Sequence, residues 1–82
     1  MLKTAPIKIA EIYVPTDRRK EIKQSEIDTI VAEMMDGAQR KPVRVREGKG
    51  RYVLIEGVNR LEACKTVGDE TIPAYIVQAR KF

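Results

Sequence analysis

The 82-residue sequence has no histidine, no tryptophan and one cysteine, Cys64. Each absence removes a class of function. Without histidine no Ser-His-Asp triad can form, and zinc is left without its usual ligands, so neither zinc nor haem is expected as a cofactor. One cysteine excludes an intramolecular disulfide. No apolar run approaches the roughly 18 residues a membrane helix needs. Met1-Leu2-Lys3-Thr4 lacks the long apolar stretch of a secretory signal. A cytoplasmic protein with no membrane partner is the expectation. Aromatics are scarce, and Tyr13, Tyr52 and Tyr75 lie far apart along the chain. A stacking platform for single-stranded nucleic acid is therefore not expected.

The residues that are present describe a folded protein. The chain is 43% hydrophobic and 34% charged, with five glycines and four prolines, which fits one domain over 1–82 and neither disorder nor low complexity. A chain this short buries about 60% of its unfolded surface, so its core is thin. The net charge of +4 is unevenly spread. Arg40, Lys41, Arg44, Arg46, Lys49 and Arg51 form a basic ribbon broken only by Glu47, whereas Glu26, Asp28, Glu33 and Asp36 make the 25–36 segment acidic. Such a pairing suits a phosphate-bearing ligand on one side and a solvated or protein-partner face on the other; ordinary surface charge is the alternative.

Hydrophobic periodicity predicts the order β-α-β-β-α-β. Ile7 and Ile9 alternate around Lys8 as a short strand, and Val14 is extended because Pro15 follows. Thr16 to Lys23 is polar and basic and reads as a loop or frayed turn. Ser25, with Asp28 three residues on, offers a helix N-cap. Ile27, Ile30, Val31, Met34 and Met35 then trace one helical face, stopped by Asp36-Gly37. Val43 to Arg46 alternates valine with arginine, Glu47 to Gly50 reads as a hairpin loop, and Tyr52-Val53-Leu54-Ile55 as a central strand. A second helix places Val58, Leu61, Cys64 and Val67 on one side and ends at Gly68. Cys64 is expected to be a small buried apolar residue, and Asp69-Glu70 a solvated turn. Pro73 gives the last strand, Ile72 to Val77, an edge position or marks its start.

The segment Glu56-Gly57-Val58-Asn59-Arg60 joins that central strand to the second helix. The first N–H groups of a helix have no intrahelical partner, and with the helix dipole they make an anion site. Gly57 permits a sharp bend and close approach of a ligand. Arg60, one turn in, presents a fork of donors to phosphate oxygens. Glu56 is placed to accept ribose hydroxyls, to hold a metal with phosphate, or to act as a base. The alternative is a structural turn with Arg60 paired to a surface carboxylate.

The run from Tyr52 to Lys65, followed by Val67-Gly68 and Thr71-Ile72-Pro73-Ala74, resembles the core of ParB-type partition proteins and their sulfiredoxin-like relatives. Upstream, Ile12, the arginines Arg18 and Arg19, a helix, and Gly37 to Arg46 follow in the family's order. The Gly-x-x-x-Pro-x-x-Val-Arg segment carries one extra residue here before Pro42. The resemblance spans about Ile7 to Val77. It implies an α+β fold of the ParB/sulfiredoxin type, a small mixed sheet with helices, that binds a nucleotide such as CTP or ATP, often with magnesium. The matching phosphate-binding positions are Gly57, Arg60 and Arg46; Val58 and Asn59 within the turn and Arg44 of the basic strand complete the candidate phosphate-binding set. Glu56 stands where some ParB-like kinases of small hydroxylated substrates carry an acid, which makes it the candidate catalytic and magnesium-binding residue. Val58 and Asn59 replace the Glu-Arg of the partition proteins' Gly-Glu-Arg-Arg. Val58 also fills the position where sulfiredoxins place their catalytic cysteine, so sulfinic-acid reduction is not expected.

Three readings follow. The first is a nucleotide- or nucleic-acid-phosphate-binding domain in a bacterial partition or transcriptional-regulation setting. The second is a metal-dependent phosphotransferase or nuclease using Glu56, although two-metal chemistry normally needs more carboxylates than one. The third is a protein-interaction module acting through the acidic helix. The chain has no element built for reading bases in a duplex groove, so any DNA binding would be nonspecific and salt-dependent. The thin core and exposed basic hairpin are compatible with a homodimer.

Overall fold

Valine alternates with arginine from Val43 to Arg46, and that period of two divides the structure into a covered and an uncovered sheet face. The computed structural model describes residues 3–77. Strand β1 (Thr4–Lys8) leads through a 3₁₀ turn at Ile9–Glu11 to β2 (Ile12–Tyr13), then to helices α1 (Thr16–Arg19) and α2 (Gln24–Met35). Strands β3 (Val43–Gly48) and β4 (Arg51–Glu56) form a hairpin, followed by helix α3 (Val58–Thr66) and strand β5 (Thr71–Val77). The sheet runs β1-β5-β3-β4-β2 and is mixed. Pairs β1/β5 and β3/β4 are antiparallel, whereas β3/β5 and β2/β4 are parallel. This is the α+β architecture expected, with β2 and α1 added to the predicted order.

Both longer helices pack on one sheet face. Val43, Val45, Leu54, Ile72 and Ala74 meet Ile27 and Met34 of α2 and Val58, Leu61 and Cys64 of α3 in a single core. Burying such side chains contributes roughly 1.5–3 kcal/mol each. The intervening residues Arg44, Arg46, Val53, Pro73 and Tyr75 therefore project to the opposite face, which no helix among the described residues covers. Helix α2 ends as its Asp36-Gly37 stop requires. Gly37 has φ +90°, and the N–H groups of Gly37 and Ala38 bond the carbonyls of Met34 and Glu33 in a Schellman arrangement.

Several sequence expectations change. Ile9 lies in the 3₁₀ turn and not in the strand, where its N–H bonds the Glu70 carbonyl and the side chain still enters the core. Of the loop or frayed turn expected over Thr16 to Lys23, the second alternative holds for residues 16–19, which form a helical turn because Pro15 supplies an extended lead and a carbonyl that accepts the N–H groups of Arg18 and Arg19. Helix α2 is capped at Lys23, so Ser25 sits inside the first turn, its carbonyl accepting the Thr29 hydroxyl. Met35 leaves the core and is 77% exposed; the buried stripe is narrower than the sequence pattern. The hairpin turn shrinks to Lys49-Gly50. Strand β5 is interior, not an edge. Pro73 is tolerated because it faces Pro6 across β1, and the β3 ladder begins one residue later, at Ala74.

Gly57 lies tight against Val43 at the point where α3 leaves the sheet. Its φ is +105°, and a Cβ built there would lie 2.7 Å from Val43 Cγ1. Gly57→Ala is expected to cost roughly 2–5 kcal/mol, from left-handed strain plus overpacking. Gly37→Ala, at φ +90° with nothing within 4 Å, carries the conformational cost alone, about 1–2 kcal/mol. Urea denaturation of the two variants measures the difference, and equal midpoints would show that contact with Val43 does not constrain the turn.

Candidate phosphate site

Strand β4 delivers Glu56 to the sheet end, Gly57 turns in the left-handed region, and α3 starts at once. The first helical bond runs from the Leu61 N–H to the Gly57 carbonyl at 3.0 Å. No side chain caps the start, and its first turn holds no acidic residue. The N–H groups of Val58, Asn59 and Arg60 have no acceptor among the described residues. They are the positive end of a nine-residue helix.

The four turn residues contribute differently. Gly57 supplies the bend. Val58 is buried, so its side chain belongs to the core and it offers only an N–H. Arg60 donates from Nη1 to the Pro42 carbonyl at 3.1 Å, which aims the guanidinium while leaving Nε and Nη2 without a protein partner among the described residues. Asn59 is occupied. Its Oδ1 accepts the Lys23 N–H at 2.8 Å, and its Nδ2 donates to Glu26 Oε2 at 2.7 Å and to the Glu21 carbonyl at 3.2 Å. Lys23 caps α2 without a side-chain bond of its own, and Glu26 is three residues on. Asn59 thus completes from α3 the bridge that a capping box makes within one helix.

A shallow depression of about 230 Å³ surrounds this start, lined by Glu21, Glu26, Glu56, Gly57 and Arg60 among others. A second, of about 70 Å³, lies between α2 and the loop after it and is lined by Glu33, Gln39, Lys41 and Arg60. Ile30 and Arg60 belong to both. Arg44 and Arg46 line neither. Arg44 lies opposite Glu56 across a β-bulge in which Ile55 is the extra residue, and Arg46 lies opposite Val53; both arginines leave on the uncovered face. Lys41 is the cation that shares a depression with Arg60. It stood in the basic ribbon of the sequence but was not singled out, and adjacency to Pro42, whose carbonyl holds Arg60, is the signal that would have found it. Glu21 and Glu26 were missed because their place depends on how α1 and α2 fold back onto α3.

The loop carrying Lys41 is pinned. Arg40 donates from Nε and Nη2 to the Asp69 carboxylate at 2.9 and 3.2 Å, so Asp69 is not the solvated turn residue expected. The hydrogen-bonded guanidinium holds the Asp69 carboxyl below the usual range, and the carboxylate raises Arg40 in turn. Cys64 is buried as expected. Burial, reinforced by the Asp69 charge, pushes its thiol up to about 11, so almost no thiolate, the nucleophilic form, exists at neutral pH. Magnesium finds no ready-made site, because no group of three or more His, Cys, Asp or Glu among the described residues is arranged to hold an ion. Glu26 is already engaged with Asn59, leaving Glu56 and Glu21 as the carboxylates at the rim.

The profile of the ParB N-terminal domain matches residues 3–81. The chain belongs to the ParB N-terminal domain family. Its fold matches that of sulfiredoxin from Arabidopsis thaliana with a TM-score of 0.76 at 25% identity, covering 93% of this chain and 85% of that one. The chromosome-partitioning protein ParB from Caulobacter crescentus, complexed with CTP-gamma-S, matches with a TM-score of 0.78 at 17% identity over 95% of this chain. A free serine kinase variant in complex with ADP matches at 0.76 and 18% over 93%. This ParB N-terminal domain spans 46% of that ParB chain and 31% of the kinase. No curated protein sequence matches it. Among the described residues no helix is long and apolar enough to cross a membrane.

Two consequences are measurable. Asn59→Ala removes the shared cap and is expected to destabilise by about 1–2 kcal/mol, read as a lowered urea midpoint, whereas a surface role would leave it unchanged. The depressed Asp69 carboxyl contributes stability that is complete above its unfolded value and is lost as pH falls through the lower folded value. Wild type should therefore lose stability below about pH 4, and Asp69→Asn should flatten that acid limb in thermal melts.

Proposed function

We propose that this ParB N-terminal domain binds the phosphates of a nucleotide, CTP or ATP, at the start of α3. The observation that carries the reading is the uncapped helix start after a left-handed glycine, with the free guanidinium donors of Arg60 beside it. The N–H groups of Val58, Asn59 and Arg60 receive phosphate oxygens, Arg60 forks onto them, and Lys41 adds a point charge from the neighbouring depression. The complexes of structural relatives with CTP-gamma-S and ADP support this chemistry. Glu56 and Glu21 at the rim repel a bare polyphosphate, so a nucleotide arriving with its magnesium is favoured, with the ion held mainly by the phosphates. Asn59 acts through its backbone, since its side chain is committed to α2. Membership of the ParB N-terminal domain family supports reading such binding in a DNA-partition or regulatory setting.

Isothermal titration with CTP and ATP, with and without magnesium, tests the reading. Arg60→Ala should weaken binding at least tenfold, and Arg60→Lys should recover part of it, with circular dichroism confirming that both variants fold. Wild type without binding up to millimolar nucleotide, or equal affinity in wild type and Arg60→Ala, would remove the assignment.

A further inference from the structure

The sheet face turned away from the helices carries a constellation that the α3 site does not use. The register aligns Tyr13, Val53, Arg46 and Val77 in one row across β2, β4, β3 and β5. The next row sets Tyr75 beside Arg44. Arg51, on the same face of β4, places its guanidinium 4.0 Å from the centroid of the Tyr13 ring. Tyr13 is exposed, Tyr75 is half-buried, and Arg44, Arg46 and Arg51 are exposed. Among the described residues none of the three arginines lies within 4.0 Å of a carboxylate. Strand spacing puts the two tyrosines roughly 14 Å apart across the sheet, with Arg44 and Arg46 roughly 7 Å apart between them.

We propose that this face binds single-stranded nucleic acid. Its net charge is positive, with Arg44, Arg46 and Arg51 outweighing Glu56, which lies opposite Arg44, and this suits a phosphate backbone passing over Arg44 and Arg46. Its ends are planar: the Arg51–Tyr13 pair stacks one base on a guanidinium plane, and Tyr75 offers a second partly exposed ring. A duplex hides its base faces and leaves such a platform without stacking partners, and among the described residues no helix or ribbon projects from this face to enter a groove. An acidic peptide satisfies the arginines and leaves the ring and guanidinium planes unused. The tyrosines, distant in sequence, share the face because β2 and β5 flank the β3/β4 hairpin.

Fluorescence anisotropy with a labelled 12-nucleotide oligo-dT, its duplex with oligo-dA, and a labelled 12-residue oligoglutamate tests the proposal. The single strand should bind at least fivefold tighter than either competitor. The slope of log affinity against log salt should fall by about 0.7 for each arginine removed. Arg44→Ala/Arg46→Ala and Tyr13→Ala should each weaken binding at least fivefold, with circular dichroism spectra unchanged. Arg60→Ala should leave oligo-dT binding intact, so failure here is separable from failure at the α3 site. No binding of oligo-dT, equal binding of duplex or oligoglutamate, or unaltered affinity in both sheet-face variants overturns it.

Discussion

The contact between Gly57 and Val43 sets the geometry of this domain. The absent Cβ lets the turn after β4 lie directly against the first residue of β3, so α3 starts at the sheet end and not beyond it. From that start Arg60 reaches the Pro42 carbonyl, one residue before Val43. Val58 drops into the core, and the N–H groups of Val58, Asn59 and Arg60 have no acceptor among the described residues. A side chain at position 57 would push the helix off the sheet and break these relations together.

A second layer of organisation is electrostatic and divides the molecule. On the helix side, Asn59 from α3 joins the Lys23 N–H to the Glu26 carboxylate, so the start of α2 is tied by a hydrogen-bonded amide to the start of α3. The Arg40–Asp69 pair ties the loop after α2 to the far end of α3. On the other side, β3 sends its arginines away from all of this. Apart from Lys49 in the hairpin turn, the basic ribbon seen in the sequence is therefore three populations: Arg40 is structural, Lys41 faces the depression shared with Arg60, and Arg44, Arg46 and Arg51 belong to the uncovered sheet face.

Much of the fold could be read along the chain because its signals are local. The stripe from Ile27 to Met34, the alternation at Val43 to Arg46 and the glycine stops at Gly37 and Gly68 each follow from φ/ψ preference and side-chain period. The ordered set of motifs around Glu56 to Arg60 was likewise legible, and the family assignment agrees with it. Less legible were the two-residue strand β2, too short to show a period, and the interior place of β5, where Pro73 points to an edge until Pro6 is seen opposite it. Asn59 looked like a ligand residue because nothing nearby in sequence competes for its amide.

Composition and order alone determined the class of chemistry open to this chain: no imidazole, one thiol, an excess of guanidinium and ammonium, and a glycine-marked helix start. They also determined which side chains share a face within each strand or helix, since that depends on local geometry. Only the tertiary structure decided which faces meet. Pairing register brings Tyr13 and Tyr75 to one surface, parts Arg46 from Arg60, and spends Asn59 on a neighbouring helix. Those outcomes depend on contacts between segments tens of residues apart, and local periodicity carries no record of them.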